Sequence, residues 1–69
     1  MVEKARKIAQ EALRICRDTG SQNEFVDGAW CHTVFDPFGN GVFITHPDGS
    51  DSVILFDPAT WELEGEDNA

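Results

Sequence analysis

Beyond Arg17 this chain has neither lysine nor arginine. It has only two cysteines, Cys16 and Cys31, in 69 residues, and its longest unbroken apolar run is the four residues Val53 to Phe56. Each shortage excludes something. Two cysteines cannot staple a disulfide scaffold. Four apolar residues fall far short of the roughly 20 that a membrane-spanning helix needs, so no membrane insertion is expected. The opening Met1-Val2-Glu3-Lys4 lacks the apolar core of a secretory signal, and the expected setting is the cytoplasm with both thiols reduced. A chain this short buries only about 60% of the surface its unfolded form exposes, which limits it to one domain.

The charge that is present is segregated. All five basic residues, Lys4, Arg6, Lys7, Arg14 and Arg17, precede Asp18, where only Glu3 and Glu11 oppose them, giving +3. From Asp18 onward there are eleven carboxylates and no lysine or arginine, so that stretch carries −11 of the total −8. Uncompensated charge of one sign destabilises a compact state by self-repulsion, which suggests selection for an acidic surface. Solubility alone is a competing explanation. Halophilic adaptation is a weaker one, because it should also deplete the cations of the first seventeen residues.

At 100° per residue, Val2, Ala5, Ile8, Ala9, Ala12, Leu13, Ile15 and Cys16 share one sector and the charged residues from Glu3 to Asp18 lie opposite. That is an amphipathic helix over about residues 3–19. Glu3 with Lys7 and Glu11 with Arg14 are spaced to pair, and Gly20 suits a left-handed closing residue. Strand formers then alternate with turn signals, predicting strands near 25–35, 41–46 and 52–57, with a fourth possible near 60–63. The turns between them contain Asp36-Pro37-Phe38-Gly39-Asn40-Gly41, Pro47-Asp48-Gly49-Ser50 and Asp57-Pro58-Ala59-Thr60, short enough to imply antiparallel hairpins.

The expected fold is therefore α+β: an N-terminal amphipathic helix packed on a three- or four-stranded antiparallel sheet, one domain over 1–69. The helix takes 1–19, the sheet 24–63, and 64–69 form a frayed acidic tail. Val53 to Phe56 points apolar groups both ways, which predicts a central position for that strand. One helix masks one face of a sheet. The other face, carrying some of Trp30, Val34, Phe43, Ile54, Phe56 and Trp61, is expected to stay partly exposed, and such patches mark interaction sites.

Candidate chemistry is sparse. Cys16, Cys31, His32 and His46 show no C-x-x-C or H-x-x-x-H spacing, and adjacent Cys31 and His32 point to opposite strand faces, so no metal site is expected. A Cys31–His46 nucleophile pair lacks a visible orienting group and oxyanion donors. Asp48-Gly49-Ser50-Asp51-Ser52 lacks the alternating ligands and closing glutamate of a calcium loop. No glycine-rich phosphate loop precedes a helix. The expectation is a protein without cofactor and without enzymatic activity. Direct nucleic-acid binding is disfavoured, because the carboxylates would repel phosphates within a Debye length of roughly 8 Å.

What remains is the acidic surface. Asp27, Asp36, Asp48, Asp51, Asp57, Glu62 and Glu64, with Trp30 and Trp61 as aromatic anchors, are the candidate partner-binding residues. If the last strand extends, Glu62, Glu64 and Glu66 share one face at about 6.6–7 Å spacing, comparable to successive phosphates on a nucleic-acid strand. In its length, its −11 block and its lack of catalytic residues, the chain resembles the small acidic phage-encoded inhibitors of bacterial defence, the anti-CRISPR and DNA-mimic proteins. That resemblance implies stoichiometric binding of a basic host protein or nucleoprotein complex, in the host cytoplasm if the chain is phage-encoded. The alternative is a structural or regulatory homodimer that buries its apolar sheet face against a second copy.

Overall fold

The computed structural model describes residues 2–36 and 39–64. Helix α1 spans Val2–Thr19, as the periodicity requires. Ala5, Ile8, Ala9, Ala12, Leu13 and Cys16 form its buried stripe, none more than 5% exposed. Gly20 ends it: at φ 82° its N–H donates to the Cys16 carbonyl at 2.8 Å, the left-handed cap that satisfies an otherwise orphaned carbonyl. On the solvent side Arg14 binds Glu11 through two hydrogen bonds and reaches Asp18 at 3.4 Å, while Arg17 also contacts Asp18.

Five strands follow, β1 (Asn23–Val26), β2 (Ala29–Val34), β3 (Gly41–Thr45), β4 (Asp51–Asp57) and β5 (Glu62–Leu63), in one antiparallel meander of order β1-β2-β3-β4-β5. The fold is α+β with the helix on one face of an open sheet, and it has five strands rather than three or four. The additional strand comes from Asp27-Gly28. Residues 25–35, expected as one strand, fold back on themselves there, with φ 53° at Asp27 and 83° at Gly28. Two consecutive positive φ values between the paired Val26 and Ala29 define a two-residue turn whose twist matches a hairpin. The Asp-Gly dipeptide is a strong signal for this turn. Because the hairpin adds a strand at one edge, β3 takes the middle of the sheet, and β4, expected to be central, lies next to the edge strand β5.

The remaining turns hold themselves with side-chain oxygens. The Asp48 carboxylate accepts from the Ser50 N–H at 2.9 Å and from its hydroxyl at 2.7 Å, and Gly49 takes φ 91° between β3 and β4. The Asp57 carboxylate accepts from the Ala59 N–H at 2.9 Å between β4 and β5. Asn40 does the same for the Asp36 N–H at 3.3 Å between β2 and β3.

The core lies between helix and sheet. Val26, Ala29, Cys31, Thr33, Val42, Ile44 and Phe56 meet the helix stripe, with Ile15, Ile54, Trp61 and Leu63 packed around them. At one end Phe35, Phe56 and Trp61 form an aromatic corner: Trp61 stacks on Phe56 at 6.0 Å and 18°, and Phe35 meets both rings edge-on at 5.6 Å. Trp61 has φ 64°, a conformation that bulky residues rarely adopt and that persists only where the surroundings over-determine it. Here the stacked ring supplies that determination.

Candidate functional site

The sheet face away from α1 is uncovered, and the register says what is on it. Residues paired across neighbouring strands share a face, so Phe25, Trp30, Thr45 and Asp51 make one row, and Asn23, His32, Phe43 and Val53 the next. Val34, Gly41 and Leu55 make a third, and Asp57 lies opposite Glu62. The large apolar members are exposed: Phe25 71%, Trp30 40%, Phe43 46%, Val53 49% and Leu55 51%. Phe25 and Trp30 support each other edge-to-face at 4.7 Å. Contiguous exposure of five large apolar side chains on one face is uncommon for a surface that contacts only water.

The expected members of this face divide in two. Trp30, Val34 and Phe43 are on it. Ile54 and Phe56 turn to the helix side, because they alternate with Val53 and Leu55 along β4. Trp61 belongs to the core's aromatic corner, and its ring also lines a groove of about 220 Å³ with Gln10, Leu13 and Arg14 of α1. It does not stand beside Trp30. Three members of the face were not singled out from the sequence, Phe25, Val53 and Leu55. Placing the turn at Asp27-Gly28 is the signal that finds them, since it fixes the phase of both flanking strands.

The carboxylates ring this face. Asp51 and the opposed Asp57 and Glu62 belong to it by register, and Glu64 continues β5 by donating its N–H to the Leu55 carbonyl at 2.8 Å. Asp36 follows Val34 by two residues at the β2–β3 end. Asp27 and Asp48 occupy the two turns at the opposite end, which adjoin, since a Cβ on Gly28 would lie 3.7 Å from Pro47 Cγ. Hydrogen bonds from Ser50 hold the Asp48 carboxyl below its usual range, so it stays charged. Glu66 lies outside the described residues, so the three-glutamate stripe is described only at Glu62, within β5, and at Glu64, just after it. All five lysines and arginines are on α1, the opposite layer. The molecule thus has a cation-bearing helix side and an acid-rimmed apolar sheet side.

The two thiols are buried on the helix side. Cys16 and Cys31 are free and buried, and burial pushes the Cys31 thiol up to about 11 and raises Cys16 as well. A thiol held protonated is neither nucleophile nor metal ligand at neutral pH. His46, offered as a partner for Cys31, bonds Ser52 at 2.8 Å, and His32 bonds Asn23 at 2.6 Å. Among the described residues no three His, Cys, Asp or Glu side chains converge in a metal-binding group. Among the described residues no helix is long and apolar enough to cross a membrane. Comparison with protein-family models, curated proteins and solved structures finds no match.

Proposed function

We propose that this chain is a non-enzymatic binding protein that docks its outer sheet face onto a basic site of another protein. The observation that carries the reading is the arrangement of that face: an apolar centre of Phe25, Trp30, Phe43, Val53 and Leu55 inside a carboxylate rim, with every lysine and arginine on the other layer. Interfaces owe their affinity to buried aromatic anchors and their steering to complementary charge at the rim. A surface with exposed apolar groups between cations is the complement, and surfaces that serve nucleic acid have the cations. Occupying one would exclude the nucleic acid, the mode of action of the small acidic inhibitors this chain resembles. It would act in the cytoplasm, where its thiols stay reduced. Self-association through the same face is the lesser reading, because a two-fold contact would set like-charged rims against each other.

The test compares three proteins as baits in a host lysate: the native chain, a sheet variant with Asp51→Lys, Glu62→Lys and Glu64→Lys, and a helix variant with Lys4→Glu and Lys7→Glu. The sheet positions are exposed and, unlike Asp48 and Asp57, their carboxylates brace no turn. The expected result is a basic protein retained by the native chain and the helix variant, released by salt, and lost from the sheet variant with its circular dichroism unchanged. Retention by the sheet variant, loss from the helix variant, or a salt-insensitive dimer in sedimentation would overturn the reading.

A further inference from the structure

The turn at Asp27-Gly28 fixes the direction of the main-chain groups of β1 as well as its faces. Thr33 donates its N–H to the Gln22 carbonyl at 2.8 Å, so these two are a hydrogen-bonded pair, and in the same register Glu24 with Cys31 and Val26 with Ala29 are the next ones. Asn23 and Phe25 are the intervening residues, whose N–H and C=O groups point away from β2. Because β1 is the outermost strand, they point out of the sheet. The Ser21 hydroxyl is shared between the Asn23 carbonyl and the Glu24 carboxylate, each at 3.2 Å. The Asn23 N–H and both main-chain groups of Phe25 have no partner among the described residues. Open edges are normally blunted by proline, lysine, a bulge or extreme shortness. Asn23-Glu24-Phe25-Val26 has no proline, no lysine and an unbroken register, whereas β5 at the opposite edge has only two residues. The one charge of β1, Glu24, lies on the helix side opposite Cys31 and does not stand across the edge.

We propose that β1 is a strand-addition edge, and that the partner's contact element is an extended basic segment whose main chain pairs with Phe25. The inference rests on the proposed function above and names the kind of segment that the docking face receives. An added strand draws affinity from main-chain hydrogen bonds and specificity from its alternate side chains. Its residue opposite Phe25 extends the outer-face row of Phe25 and Trp30 and covers a ring that is 71% exposed. The segment is basic because no lysine or arginine follows Arg17, so the layer it joins carries carboxylates and neither of these cations; this is a property of the whole layer and not of one side chain. A second copy of the chain fits less well. Two-fold pairing centred on Phe25 sets Asn23 of each copy against Asp27 of the other, where the chain has already turned at φ 53°, and it joins two layers of like charge.

The experiment needs no identified partner. The probe is the peptide acetyl-Lys-Thr-Val-Thr-Lys-amide, added at millimolar concentration to the native protein while amide exchange is followed by NMR. Pairing should slow exchange at Phe25 about tenfold at saturation, since a paired amide exchanges only on opening, and leave Val26, already paired with Ala29, unchanged. The same peptide N-methylated at its valine, which has lost the donor to the Phe25 carbonyl, and the peptide acetyl-Glu-Thr-Val-Thr-Glu-amide should produce no slowing. Phe25→Ala and Phe25→Pro both delete the ring, but only proline deletes the outward N–H. The basic peptide, read from the Trp30 indole resonance, should therefore bind Phe25→Pro about fivefold more weakly than Phe25→Ala, the scale of one hydrogen bond. Phe25 exchange that ignores the basic peptide, or that slows equally with either control peptide, would overturn the proposal, and neither outcome depends on the proline protein folding. Slowing that rises with protein concentration in the absence of peptide would assign the edge to a second copy and overturn it too. The two readings fail separately. Partner capture that is equal in folded Phe25→Ala and Phe25→Pro proteins but lost on reversing Asp51, Glu62 and Glu64 would remove the edge and leave the docking face. Capture insensitive to those reversals, with the basic peptide still protecting Phe25, would remove the face and leave the edge.

Discussion

Replacing Thr33 with valine should stabilise the fold, although it deletes a polar group. Thr33 is fully buried beneath α1, and its hydroxyl oxygen has no hydrogen-bond partner among the described residues. A buried hydroxyl without a partner costs about 1–3 kcal/mol of desolvation. Valine has nearly the same shape, the same branching at Cβ and the same preference for strands, so no cavity opens and the backbone is unaffected. The net gain should be about 1 kcal/mol, which for a domain of this size raises the melting temperature by about 4–8 °C. Urea unfolding followed by tryptophan fluorescence should show a higher midpoint at unchanged slope. Partner capture should be unaffected, since Thr33 lies on the helix side. A midpoint unchanged or lowered in the valine protein would show that the hydroxyl is satisfied in solution and refute the reasoning.

Glu24 should make stability rise as the carboxyl range is approached from above. Its Oε2 is buried and has no hydrogen-bond partner among the described residues, and burial raises its pKa against the opposing hydrogen bond from Ser21 and the proximity of His32. A folded pKa above the unfolded one adds stability that is full below the unfolded value and lost as pH rises through the folded value. Glu24→Gln should therefore gain on the native protein near neutral pH and lose that advantage toward pH 4, and a pH-independent difference in urea midpoints would contradict it. The two thiols should resist iodoacetamide at pH 8 in the folded protein and react once urea unfolds it, because burial keeps both protonated and inaccessible; rapid labelling of native Cys31, counted by mass spectrometry, would show that the strand opens. Replacing both cysteines with alanine should lower stability by a few kcal/mol at most, about what loss of small buried groups costs, and leave partner capture intact. Gly28→Ala forces a side chain into φ 83° and should cost about 1 kcal/mol or more; an unchanged melting temperature would mean the turn is not held in that geometry.

Much of this was present in local sequence, because the physics that determines it is local. A helix needs only its own 3.6-residue period and a cap, so α1 and its closing Gly20 are legible from residues 2–20 alone. Turns obey the chemistry of a few residues, and Pro47-Asp48-Gly49-Ser50 and Asp57-Pro58-Ala59-Thr60 fold where their composition directs. The separation of +3 from −11 is linear in the chain, and an antiparallel meander beside one helix turns it into two layers. Asp27-Gly28 was equally legible as a hairpin turn. Without that turn, residues 25–35 read as one strand and the face of each neighbouring residue is unfixed.

Other features belong to the tertiary structure. Along Val53-Ile54-Leu55-Phe56 the side chains are alike in hydrophobicity, so nothing local says which pair faces the helix; the pairing of β4 with β3 on one side and β5 on the other decides it. Trp61 looks in sequence like a surface anchor, yet a positive φ after the Asp57 turn swings it onto Phe56, because burying a large ring offsets the backbone strain. The close approach at Gly41 depends on a residue fourteen positions away, since a Cβ there would come within 3.3 Å of Leu55 Cδ2 only because register sets Leu55 across from it. Helix, turns and charge follow from near neighbours along the chain, whereas the assignment of faces and the make-up of the outer sheet face follow from register, which only distant segments brought together can set.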